Sequence, residues 1–365
     1  MIKRKTTVWA VLLVAGLLAA CSGNTSTPTS MLQPPAATST TAITLMPMVT
    51  PQPPAATPTT AITPTVAKIV WGGDHPTVQM DLIGTITSGS TPLGEVRGLA
   101  LDHEGDLYGV DTGNSRVLKF DPSGKFLMQW GSQGTGDGQF VMSGGSANHD
   151  NSDGFVAVDS LGNVYVADNT HVQKFDSQGK FLTKWGTQGT GDGQFTLTSA
   201  IAIDSQNHVY VASIGNNDVQ KFDESGKFLL KWGKKGSGEG QFNLPTAVAI
   251  DAQGNVLVAD AWNGRLQKFD SDGRFLNQFL LGEVDGLVIS PVALAVGNQG
   301  QTYIGEYGYG RVVEFDSSGI LLAAWGDTGS LEKHISEVGG LALDKDGTVY
   351  VADAFNHRVL KYRQH

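Results

Sequence analysis

A five-residue apolar segment centred on alanine occurs six times along the chain: "GLALD" at 98–102, "FVAVD" at 155–159, "AIAID" at 200–204, "AVAID" at 247–251, "ALAVG" at 293–297 and "GLALD" at 340–344. Its last residue falls at Asp102, Asp159, Asp204, Asp251, Gly297 and Asp344, spaced 57, 45, 47, 46 and 47 apart. The two departures have local causes. About ten extra residues lie between Phe140 and Asp159, and the second repeat is two residues short between Asp168 and Asp176. A period near 47 restricts the fold to an array of like units, a propeller or a solenoid.

Each repeat breaks into four short β-type runs, in the first "GLALD", "DLYGVD", "RVLKFD" and "KFLMQWG", parted by polar turns such as "DHEGD" and "DPSGK". Glycine in those turns supplies the backbone angles a tight hairpin requires. Four antiparallel strands per unit make a propeller blade, and a ring of blades protects most sheet edges. In the first run, alternation sends Ala100, Ala157, Ala202, Ala249, Ala295 and Ala342 to one face and their larger neighbours to the other. That pairing of a slim face with a bulky one suits wedge-shaped blades crowded around an axis. The expected fold is therefore all-β, a six-bladed β-propeller of four-stranded antiparallel blades. The sixth repeat stops after "RVLKY", without a fourth strand, while "KIVWGG" at 68–73 resembles a fourth strand with nothing before it. The expectation is that residues 68–73 complete the last blade and close the ring; the alternative is an open array.

The pattern "GLALD…GxxYVAD…NxRVxKFD…GxFLxxWGxxGxGxGQF" resembles the NHL repeat from about Lys68 to Tyr362. The resemblance implies a propeller and leaves activity open, because the family includes protein-binding, RNA-binding, sensor and lyase members. Its lyases carry metal-binding histidines from several blades to the axis. The eight histidines here occupy unlike positions of the repeat. The cysteine-rich zinc module of ligase relatives is absent, so ubiquitin chemistry has no support.

The first 67 residues have another character. Residues 1–20 combine Lys3, Arg4 and Lys5 with an apolar run from Val8 to Leu18, as a secretory signal does. "LAAC" then resembles the lipobox of bacterial lipoproteins, in which Cys21 would become the lipidated first residue. A plain signal peptide or short anchor is the alternative. Cys21 is the only cysteine, so no internal disulfide forms. Residues 22–67 contain no charge and repeat "QPPAATSTTAIT" (33–44) as "QPPAATPTTAIT" (52–63). Such a segment has too little apolar surface to order a core and reads as a Pro/Thr-rich stalk. A flexible chain of this length spans about 35 to 40 Å. The expected organisation is thus signal 1–20, lipidated stalk 21–67 and propeller 68–365, held outside the cytoplasm on a bacterial membrane.

The formal charge of −10, or −13 once the three N-terminal bases are removed, disfavours nucleic acid, whose phosphates need a basic track. The loops "GTGDGQF" at 134–140 and 189–195, and "GSGEGQF" ending at Phe242, join strand to strand. A dinucleotide loop must open a helix, so these read as inter-blade connections. "DSDG" at 270 and "DKDG" at 344 lack a later glutamate ligand and read as turns.

An acid at the end of the second run recurs five residues before an arginine: Asp111 with Arg116, Asp260 with Arg265, Glu306 with Arg311, and Asp353 with Arg358. Where Ser213 replaces the acid, Asp218 replaces the arginine, and the short second repeat keeps Asp168 but has His171. Joint loss argues for a structural clasp across one loop. The following loops read "TGNS", "NT" and "IGNN" in repeats one to three, but "AWNG", "YGYG" and "AFNH" in four to six. Trp262, Tyr307, Tyr309 and Phe355 would then gather on one rim, where rigid aromatics suit sugar stacking or a protein contact. Packing over the blade tops is the alternative. No nucleophile motif, cofactor motif or metal set emerges, and His149, in the insertion "GGSANHDNSD", is a secondary metal candidate. The expected function is a tethered, monomeric recognition module for a protein, peptide or glycan, without cofactor, rather than an enzyme; the alternative is an exported lyase or hydrolase with its site at the ring axis.

Overall fold

The structure is a computed structural model; it describes residues 65–66, 80–87, 91–142, 154–284, 287–326 and 334–364. Among these, six four-stranded antiparallel sheets follow one another as blades. Blade 1 runs Val96–Leu101, Leu107–Asp111, Arg116–Phe120 and Phe126–Trp130. Blade 2 begins at Gly154–Val158, blade 3 at Thr198–Ile203, blade 4 at Pro245–Ile250, blade 5 at Pro291–Val296 and blade 6 at Val338–Leu343. These first strands touch one another in chain order, and the sixth touches the first, so the blades close into a ring around an axis.

The alanines explain how the inner strands fit. Ala157 packs with Ile201 and Ile203 of the next blade, Ala249 with Leu294 and Val296, and Ala342 with Leu99 and Leu101 across the seam between blades 6 and 1. The approach is close enough that a Cβ on Gly340 would stand 2.2 Å from the Arg97 carbonyl oxygen. Further out, aromatic rings fill the wedge. Trp130 tilts against Phe175, Trp185 against Phe222, Trp232 against Phe269 and Trp325 against Tyr362, with centroids 5.7 to 5.9 Å apart. Each contact joins the fourth strand of one blade to the third strand of the next, so burying the ring also fixes blade spacing.

Blade 6 requires a correction. Its fourth strand is Met80–Ile86, paired antiparallel with Arg358–Gln364 in the register Ile86↔Val359 and Leu82↔Tyr362. The N-terminal side of the chain therefore does close the ring, but with a segment downstream of the expected "KIVWGG"; residues 68–73 lie outside the described residues. Two features explain the choice. Exposure alternates along "MDLIGTI", as an edge strand needs, and a bulge between Leu82 and Gly84 lets Lys361 pack where a larger side chain would stand. At the strand's end, Ile86 lies against Gly124 of blade 1, the place that Trp130 takes against Gly179. Upstream, Thr65–Val66 pairs in parallel with Phe279 and Leu280 on the outer strand of blade 4.

The hairpins between first and second strands open on one face, and the loops between second and third strands open on the other. On the first face Asp102, Asp159 and Asp204, each at the end of a first strand, accept a hydrogen bond from a tyrosine hydroxyl on the adjacent second strand, those of Tyr108, Tyr165 and Tyr210. On the opposite face lie the clasps and the aromatic loops.

Candidate functional site

The rim is built on short turns. Thr112–Asn114, Ala261–Asn263 and Ala354–Asn356 form single 3-10 turns, each ended by a residue in the left-handed region: Ser115, Gly264 and His357. The clasps hold these turns. Arg116 Nε donates to Asp111 Oδ2 at 2.8 Å, Arg265 Nε to Asp260 Oδ2 at 2.8 Å and Arg358 Nε to Asp353 Oδ2 at 2.7 Å. Arg311 pairs with Glu306, both fully buried. The guanidinium also reaches the segment that brings the chain into the blade. Arg116 Nη2 donates to Pro92 O, Arg265 Nη2 to Gly238 O and Gln241 O, and Arg358 Nη2 to His334 O. The clasps of Arg116, Arg265 and Arg358 thus fasten both a loop and an inter-blade connection.

Blades 2 and 3 have no such pair. His171 Nδ1 stands 3.9 Å from Asp168 Oδ1, and burial pushes the Asp168 carboxyl up to about 6. In blade 3 the connection is held instead by amides, with Asn216 Nδ2 on Gly189 O and Gln194 O and Gln220 Nε2 on Gln194 O. Asp218 is buried where other blades place the arginine, and burial pushes it up to about 6.

Trp262, Phe355, Tyr307 and Tyr309 are 68, 50, 43 and 40% exposed, all on loops of the clasp face. Their surroundings differ. The Arg97 guanidinium lies 5.4 Å from the centre of the Phe355 ring and pairs with Glu95 at 3.2 Å and with Glu337. Tyr307 adjoins the same group: burial raises its hydroxyl pKa, Glu337 adds to the rise and Arg97 opposes it. Tyr309 lies over Arg311, 5.8 Å from ring centre to guanidinium carbon. Tyr309 and Phe355 therefore each have a guanidinium over the ring while keeping about half of their surface open. Trp262 is the most exposed of the four. Blades 5, 6 and 1 together present two aromatic rings beside an Arg97–Glu337 pair, and blade 4 adds an indole.

Arg97, Glu95 and Glu337 were missed from the sequence, although a signal for Arg97 was there. At its place in the inner strand the other blades have Gly154, Ser199, Thr246, Val292 and Gly339, so it is the one charged residue of the set. Inner-strand residues, Arg97, Ser199 and Thr246 among them, line a cavity of about 70 Å³ at the axis. Ser199 Oγ donates to Pro245 O at 2.6 Å and Thr246 Oγ1 to Pro291 O at 2.7 Å, so both hydroxyls tie neighbouring blades. Near the other end, a cavity of about 170 Å³ is lined by His103, Asp102, Asp159 and Asp204, with Ser160 and Ser205. Among the described residues no group of three or more His, Cys, Asp or Glu is placed to hold a metal ion. His149 and Cys21 lie outside the described residues.

Comparison with known proteins adds the following. Residues 242–269 and 336–362 match the NHL repeat. A 117-residue stretch is 31% identical to the peptidylglycine alpha-amidating monooxygenase of Rattus norvegicus, and the Mus musculus protein is 30% identical over the same length. Each match takes in 29% of this chain and only 11% of the relative. Among solved structures, a streptogramin B lyase superposes with a TM-score of 0.52 at 12% identity, covering 79% of this chain and 98% of the other. Virginiamycin B lyase from Staphylococcus aureus gives 0.53 at 12% identity over 78% and 99%. At such identities the likeness establishes the shared fold alone.

Proposed function

We propose that this protein is a recognition scaffold that binds a protein, peptide or glycan on the clasp face of the ring. The observation that carries the reading is the grouping of Trp262, Tyr307, Tyr309 and Phe355, exposed together on loops whose turns need no aromatic residue. Rigid rings of this kind offer large contact area at small cost in side-chain entropy, and interface hot spots are enriched in Trp, Tyr and Arg. Arg97, held by Glu95 and Glu337 under Phe355, gives the patch a fixed polar element. Binding of peptide, protein and glycan arrays by the purified chain tests the reading. Trp262→Ala with Tyr309→Ala is expected to lower affinity at least about thirtyfold, the size of a hot-spot loss, while the melting temperature holds. Unchanged affinity would remove this face from consideration.

In the same proposal Cys21 carries lipid and residues 22–67 hold the propeller away from a bacterial membrane, outside the cytoplasm. The support is the "LAAC" ending of the apolar run and the uncharged Pro/Thr repeat that follows. More than one acyl chain is needed for firm anchoring. Cys21→Ala should move the protein from the membrane fraction to the soluble one.

A second reading, an exported enzyme of lyase or hydrolase type, draws on the cavity near the axis that brings His103 beside Asp102, Asp159 and Asp204. It is consistent with the lyase folds named above. His103→Ala separates the two: loss of turnover on a candidate substrate with ligand binding at the aromatic rim unaffected would favour the enzyme.

A further inference from the structure

Blade 4 lacks an aromatic pair that four of its counterparts share. In blades 1, 2, 3 and 5 a second-strand tyrosine (Tyr108, Tyr165, Tyr210 or Tyr303) meets a fourth-strand tryptophan edge-on, centroids 6.1 to 6.4 Å apart. Blade 4 has Leu257 and Phe279 at these two places. On the facing side, blade 5 has Leu321 where blade 4 packs Phe275 against Phe269. A cavity of about 90 Å³ lies here, walled by Leu257, Leu266, Phe279, Leu281, Val296 and Phe315.

The polar groups around the missing tyrosine remain in place. In blade 2, Asp159 Oδ2 accepts from the Tyr165 hydroxyl at 3.0 Å and from Asn163 Nδ2 at 2.8 Å, with Lys174 Nζ at 3.6 Å. The same ammonium lies 4.9 Å from the centre of the Tyr165 ring. In blade 4, Asp251 accepts from Asn255 Nδ2 at 2.9 Å and pairs with Lys268 at 2.7 Å. Asp251 and Lys268 both line the cavity. With no ring to cover it, the Lys268 side chain is 28% exposed, against 11% for Lys174. Blade 4 therefore has the acid, the amide and the cation of blade 2, with a void where the phenol would be.

We propose that the space between blades 4 and 5 binds a small phenol. Its ring lies between Leu257 and Phe279 beneath the Lys268 ammonium, as a cation over an aromatic face. Its hydroxyl donates to Asp251, reproducing the bond that Tyr165 makes to Asp159. A dry cavity of about 150 Å³ lined by Leu, Ile and Phe holds benzene; this smaller one opens to solvent, offers an acceptor to any hydroxyl, and adds a cation that favours phenol's aromatic face over a saturated ring of equal size. The site opens among the hairpins around Gln253 and Ser317, on the face opposite the aromatic rim, and does not depend on what that rim binds.

The test titrates the full chain with phenol and with cyclohexanol near pH 7, following chemical shifts around Leu257 and the melting temperature. Saturable phenol binding about three- to thirtyfold tighter than cyclohexanol is expected, since both hydroxyls can donate to Asp251 but only phenol offers an aromatic face to the Lys268 cation. Lys268→Met should erase most of the preference without emptying the cavity. Leu257→Tyr restores the absent ring and should abolish binding; Phe279→Trp, which fills the site from the other side, should do the same and stands in if the first variant does not fold. Absence of saturable phenol binding, equal affinity for the two probes, or undiminished binding in the filled variants would overturn the proposal.

Discussion

Gly226, in the last hairpin of blade 3, lies so close beneath Trp185 of blade 2 that a Cβ at its Cα would stand 2.6 Å from the indole atoms Cδ2 and Cε3. Gly179 under Trp130 and Gly273 under Trp232 repeat the contact. The residue's φ of +87° is also one that side chains resist. Gly226→Ala therefore combines left-handed strain with displacement of a packed indole, and it is expected to cost about 2 to 4 kcal/mol. Urea unfolding of the variant against the parent checks this; a loss below about 1 kcal/mol would mean that the blades shift to accommodate a methyl group.

Arg265 is buried and bonded to Asp260, Gln278 and two carbonyls of the connection entering blade 4. Removing it by Arg265→Ala leaves Asp260 buried without its cation, a change expected to cost about 3 to 5 kcal/mol. Lys at this position cannot reproduce the fork and should recover only part of the loss. Denaturant unfolding of the three proteins measures it.

Asp168 and Asp218 are pushed by burial up to about 6, from a value near 4 in the unfolded chain. The folded state thus binds these protons more tightly. The stability they contribute is complete below about pH 4 and is lost as pH rises through about 6. Asp218→Asn stays neutral throughout, so the variant should gain about 1 to 3 kcal/mol over the parent at pH 8 and nothing at pH 4. A pH-independent difference would show that shape, rather than charge, sets the effect.

Met80–Ile86 covers the edge of the last blade, with Ile86 buried against Gly124. Ile86→Ala is expected to cost about 2 to 5 kcal/mol. Shortening the chain to begin at Thr91 should bare the strand Arg358–Gln364 and cause aggregation, because an unpaired edge templates further pairing. A chain beginning at Val78 should remain monodisperse and melt close to the parent. Equal melting of the two shortened chains would show that the seam does not need this strand.

The sequence by itself determined the number of blades, their strand order and the slim-against-bulky meeting of inner strands. Those features are local and repeated. Alternation places Ala157 and Ile201 on opposite faces of their own strands whatever surrounds them, and six copies report the period independently of any contact. The pairing partners of the clasps were legible for a similar reason, since acid and arginine stand five residues apart across one tight loop. What lay outside the repeat was decided by tertiary structure. "KIVWGG" and "MDLIGTI" both have the apolar content of a strand, and only the register against Val359 and Tyr362, with the bulge beside Gly84, selects the second. Arg97 enters the aromatic rim through Glu337 and Phe355, which the chain delivers some 240 residues later by closing the ring. The void beside Leu257 depends on two lost rings, at Leu257 and Leu321, and one smaller ring, at Phe279, in two blades, and volume between packed faces exists only once those faces have met.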